Sequence, residues 1–182
     1  KLEEDLKRIL DELRRMAKEI IDRLEDHLRK IKKDVDKLSK ENKDHLKEIE
    51  DTVRELKRNN LRREDVKRKA KELEKNVKRA NEETERKLRE LEKNVKEMNT
   101  DVKRRIDELV KRAKDILDRL REEGIDERVI KRVDEEVKKL AEEIRKVSEE
   151  HEKRVKKLLK EIEKSSEDHR RRVEELLREI DR

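Results

Sequence analysis

Four histidines stand out in this chain as residues able to do chemistry: His27, His45, His151 and His169. An imidazole takes up a proton near pH 6.5 and can ligate a metal. When neutral, it offers one hydrogen-bond donor and one acceptor. The spacing is regular. His27 and His45 follow Ile9 at steps of 18 residues, and His151 and His169 follow Val133 at the same steps. Each His thus replaces an apolar residue of a repeated unit. Other polar residues enter in the same way. Ile21 becomes Ser39, Leu24 becomes Asn42, and Val147 becomes Ser165 beside Ser166. Asn81 and Asn99 hold the place that Leu117 fills in a third unit.

These replacements matter only if the repeat is a helix. Val133, Val137, Leu140 and Ile144 recur as His151, Val155, Leu158 and Ile162, then as His169, Val173, Leu176 and Ile180. Eighteen residues make five turns at about 3.6 residues per turn, so equivalent positions stay on one helix face. A heptad repeat would instead impose a left-handed supercoil.

Composition agrees. Charged residues are 60% of the 182, aromatics are absent, and there is one Gly, no Pro and no Cys. So much charge without pattern would read as disorder. Here Leu, Ile, Val, Ala and Met recur at helical spacing, the mark of long amphipathic helices.

Two breaks divide the chain. Asn59-Asn60 suits a C-cap, with Leu61 covering the turn, and the lone Gly124 suits a second, followed by Ile125 and the N-cap candidate Asp126. The expected helices are about 2–59, 62–123 and 126–181, each roughly 85 to 90 Å long at 1.5 Å per residue. Short loops force neighbours antiparallel. The fold class is therefore all-α: a single domain over 1–182, a long straight up-down-up three-helix bundle on an 18-residue repeat.

Folding this register across the two turns sets His27, Asn99 and His151 at one level, with Ser148 nearby. A second level holds His45, Asn81 and His169, with Asn42, Ser39, Thr84, Ser165 and Ser166 close by. A His–Asn–His layer could link all three helices, because Asn supplies two donors and an acceptor. An unpaired buried polar group costs about 1–3 kcal/mol, so such layers penalise a wrong register. Asn76 and Asn94 are expected at the boundary of the stripe.

Near-verbatim repeats, a Glu/Lys/Arg surface, missing Pro and aromatics, and layered His/Asn/Ser positions together resemble a de novo designed helical bundle with buried hydrogen-bond networks. The resemblance covers the whole chain and rests on style, not on a family motif. It implies a structural scaffold without natural activity, in which histidines make stability or assembly pH-responsive. One departure is that many such designs are oligomers of hairpins, whereas three helices here share one chain.

Other chemistry is poorly served. Histidines 18 apart on one helix lie about 27 Å apart, so at most two converge at a level, without a buried carboxylate. No metal or other cofactor is expected. Ser165, Ser166 and His169 share a helical face, but nothing supplies an oxyanion hole, so no enzyme is expected. Net charge is +6, from 58 basic and 52 acidic residues mixed at nearly every turn. A nucleic-acid binder would gather its basic residues on one face and add stacking aromatics. No span approaches the ~18 apolar residues that cross a membrane, and no signal peptide is read. A soluble chain, cytoplasmic on recombinant expression, is expected. No partner is required, although Leu10, Leu28, Leu46, Leu159 and Leu177 widen the stripes enough to leave a self-associating bundle or filament open.

Overall fold

The computed structural model of the chain describes residues 2–58 and 61–181. Three helices account for nearly all of them: α1 (Leu2–Arg58), α2 (Arg63–Glu122) and α3 (Glu127–Asp181). Asn59 and Asn60, expected to cap α1, lie outside the described residues.

The α2–α3 turn forms for reasons visible in its residues. Gly124 takes φ 71°, the left-handed conformation that a side chain disfavours. Ile125 N–H donates to the Leu120 carbonyl at 3.1 Å and Gly124 N–H to that of Arg121 at 3.1 Å. This pair of bonds is a Schellman ending, which satisfies carbonyls that the helix itself leaves open. Ile125 also packs on the apolar cluster that contains Leu120. Asp126 then starts α3, its carboxylate accepting from the Arg128 N–H at 3.1 Å.

The chain divides into two compact units, each drawing a stretch from all three helices. Unit 1 comprises Lys1–Lys30 with Asn94–Val155, and unit 2 comprises Ile31–Lys93 with Lys156–Arg182. In unit 1, Arg23 pairs with Asp101 and Arg112 with Glu12, so rising numbers on α1 meet falling numbers on α2. Arg14 meets Glu136 and His27 meets His151, so numbers rise together on α1 and α3 and the two run parallel. In unit 2, Glu41 meets Lys87 while Ile49 and Val53 cluster with Leu73 and Val77, and Asn42–Ser166 and Lys57–Glu179 rise together, the same pattern. Both units are up-down-up three-helix assemblies.

Their cores differ. Unit 1 buries Leu13, Ala17, Ile20 and Leu24 of α1 against α2 residues such as Val102, Leu109, Ala113 and Ile116, and against Ile130, Val133, Leu140 and Ile144 of α3. The cluster in unit 2 is smaller: Ile49 and Val53, Leu73 and Val77, Val173 and Leu176. The polar replacements explain the difference, since Asn42 is buried in unit 2 where Leu24 is buried in unit 1. The ion pairs across both surfaces are mostly exposed and add little each. Among the described residues no helix is long and apolar enough to cross a membrane.

Candidate functional site: two buried histidine pairs

The polar residues of the core gather around two His–His contacts, one in each unit. In unit 1, His27 of α1 and His151 of α3 bond through Nδ1 and Nε2 at 2.9 Å. In unit 2, His45 and His169 use the same two atoms at 3.1 Å. One ring N–H donates to the lone pair of the other in each case. The bonded residues are 124 apart in number in both pairs. Asn42 Nδ2 donates to Ser166 Oγ at 3.3 Å with the same offset. Three cross-links thus state one α1–α3 register.

Position on the helix explains why these rings meet. His27 and His45 continue the face that holds Leu24 and Ile31, and His151 and His169 continue the face of Ile144 and Ile162. A helix that turns those Leu and Ile side chains inward also turns the imidazoles toward the core. His27 is 9% exposed, His151 4% and His169 7%, whereas His45 is half-buried.

The expected bridging amides of α2 are not in these bonds. Asn99 is exposed, and each histidine pair closes by direct contact without it. It lies ~60° from Val102 around the helix, at the margin of the inward stripe, where its amide keeps water as partner. Asn81, at the equivalent angle, is half-buried and makes no side-chain hydrogen bond among the described residues. Thr84 is satisfied within its own helix, its hydroxyl donating to the Ala80 carbonyl at 2.9 Å. Ser39, Ser148 and Ser165 are half-buried without side-chain bonds among the described residues, and Ser165 lines a cleft together with His169. Asn76 and Asn94 are exposed. Asn42 and Ser166, expected at one level, bond directly across α1 and α3. Asn42 stands one repeat from Leu24, which is among the most buried residues.

The two pairs differ in what surrounds them. In unit 1, His27 Nε2 and His151 Nδ1 are fully buried and have no hydrogen-bond partner. Whichever tautomer holds, one of these outer nitrogens carries a hydrogen and the other a lone pair. A buried donor and a buried acceptor are therefore both unpaired, each costing about 1–3 kcal/mol. A cleft of about 260 Å³, lined by Leu24, Leu28, Val147 and His151, lies beside them. In unit 2 the cleft is larger, about 500 Å³, and Asn42, Leu46, Ser165, Asp168 and His169 line it.

Burial disfavours the imidazolium in every case. It lowers His27 from 6.5 to about 4, with the His151 and Lys30 charges adding to the effect. His151 is lowered by burial against a small opposing pull from Glu152. His169 is lowered by burial, then by His45 and Arg170. His45 is lowered by burial, with Glu48 working the other way. The chemistry open to such pairs is stepwise. A first proton can enter at an outer lone pair and leave the N–H···N bond intact. A second must take the bonding lone pair, which turns the contact into two facing N–H groups on like charges. Among the described residues no group of three or more His, Asp or Glu is placed to hold a metal ion.

No protein-family profile and no curated protein matches the chain. A solved structure described as a computationally designed three helix bundle is similar in fold. It has a TM-score of 0.55 and 15% sequence identity, covering 97% of this chain and 87% of the other.

Proposed function

We propose that this chain is an engineered, non-enzymatic structural scaffold whose buried histidine pairs hold α1 and α3 in register and make its stability respond to acid. The supporting observation is the pair itself, repeated: the same atoms bond at the same 124-residue offset in both units. Each imidazole occupies a place where the repeat elsewhere carries Ile or Val. An apolar core would have been more stable, because a buried polar bond recovers only part of its desolvation. Specificity and a proton response are what the exchange adds. The near-verbatim repeats and the lack of aromatics support an engineered origin, and the designed three-helix bundle of similar fold is in keeping with it.

Circular dichroism melts at pH 7.4 and pH 4 test the proton response. The expected result is a lower midpoint in acid; equal midpoints would reject it. A second reading is self-association, favoured by half-buried Leu10 and Leu28 in unit 1 and Leu46 and Leu177 in unit 2. Light scattering separates the two, since a scaffold that works alone keeps the mass of one chain.

A further inference from the structure

In the His45–His169 pair the bonding nitrogens are 3.1 Å apart and the ring centroids 5.1 Å. The ring planes lie 27° apart and stack with an offset that brings one nitrogen of each ring against the other. A single hydrogen lies between those two nitrogens. Two neutral imidazoles aimed at one another are also the donor set of a monovalent d10 cation, Cu(I) or Ag(I), which prefers two ligands in line. Imidazole is an accepted ligand of copper. Two metal–nitrogen bonds in line span roughly 4 Å, so the pair must open by about 1 Å and the offset rings must turn into line.

Unit 2 has room for that movement. His45 is half-buried, and the cleft of about 500 Å³ lies against His169 and Asn42. The pair in unit 1 is closer, more deeply buried, and beside a smaller cleft. A tetrahedral divalent ion finds no third or fourth ligand, since no trio of His, Asp or Glu converges among the described residues.

We propose that His45 Nδ1 and His169 Nε2 bind one monovalent d10 cation in place of the hydrogen they share. On binding, that hydrogen leaves the inner nitrogen and an outer nitrogen of the same ring takes one up through water. Both rings stay neutral, no net proton is released, and the site gains one positive charge. Neither outer nitrogen of this pair is a fully buried, unpartnered atom, so the new N–H can meet solvent. The charged groups around it are mixed. Glu48 and Arg170 act on the rings directly, and Lys43, Glu161, Lys164, Asp168 and Arg172 line the cleft. Protons and the cation compete for the same ring nitrogens, so the site is tested at pH 7.5, above the acid response.

Silver nitrate in chloride-free buffer at pH 7.5, followed by 15N NMR of the imidazole nitrogens, tests the site. The full chain should carry Met16→Leu and Met98→Leu, because those thioethers are the other soft donors and there is no Cys. One equivalent of silver should shift the ring nitrogens of His45 and His169. His45→Ile with His169→Val should abolish the binding, whereas His27→Ile with His151→Val should keep it. Both replacements use residues that the repeat itself carries at Ile9 and Val133, and dichroism at pH 7.5 confirms folding. Silver that leaves His45 and His169 unmoved would overturn the assignment. So would undiminished binding in His45→Ile/His169→Val, or zinc binding as tight as silver.

Discussion

Lowering the pH from 7.5 to 4 perturbs four groups in one direction. Burial holds the His27 pKa at about 4 in the folded chain, against 6.5 when unfolded. Because the folded value is the lower one, the unfolded state binds more protons between those limits. Stability is therefore full above pH 6.5 and is lost as pH falls toward 4. At 1.36 kcal/mol per pKa unit, the His27 shift alone removes about 3 kcal/mol. His45, His151 and His169 are lowered as well and add losses of the same sign. Total stability for a domain is typically about 5–15 kcal/mol, so the effect reaches a sizeable fraction of it. The assay is guanidinium unfolding at pH 7.5, 6, 5 and 4, run beside a variant with His27→Ile, His45→Ile, His151→Val and His169→Val. That variant keeps every carboxylate, so acid effects from surface Asp and Glu cancel in the comparison. The native chain should lose at least about 3 kcal/mol more than the variant between pH 6.5 and 4. Parallel pH profiles for the two proteins would refute the reasoning.

Other consequences concern single residues. His27→Ile alone removes one ring but leaves His151 with a second unpaired nitrogen, so it should destabilise by about 1–3 kcal/mol at pH 7.5. Adding His151→Val should recover that loss and exceed native stability, as a double-mutant cycle by denaturant unfolding would reveal. Ile144→Ala empties a site with 0% exposure in unit 1 and should cost about 2–5 kcal/mol by the same method. Gly124→Ala meets no atom within 4 Å, so its cost, about 1 kcal/mol, should come from the positive φ alone.

Much of the fold was legible because it follows from helix geometry. Leu13, Ala17, Ile20 and Leu24 fall at the helical spacing of one face and are buried, and Gly124 ends α2 as its conformational freedom allows. The partnership of α1 and α3 histidines was legible too, since the register folded across the two turns sets them at one level. The α2 amides show where such reading stops. Leu117 and Asn99 share one helical angle, yet Leu117 is 8% exposed and Asn99 is open to solvent. Periodicity gives the direction of a side chain and not the depth of the interface at its margin. A leucine there turns inward to leave water, whereas an amide loses nothing by staying hydrated. Nor could spacing reveal that two imidazoles would bond directly, which removes any need for an amide between them.

Two facts carry the account: the imidazoles pair with each other, and the His27–His151 pair is shielded from water. NMR of 15N-labelled chain tests it most directly, by coupling through the N–H···N bond and by pH titration of each ring. The expected result is a nitrogen–nitrogen coupling between His27 Nδ1 and His151 Nε2, with His27 staying neutral until pH approaches 4. Four rings titrating independently near pH 6.5, with no coupling between them, would contradict the account.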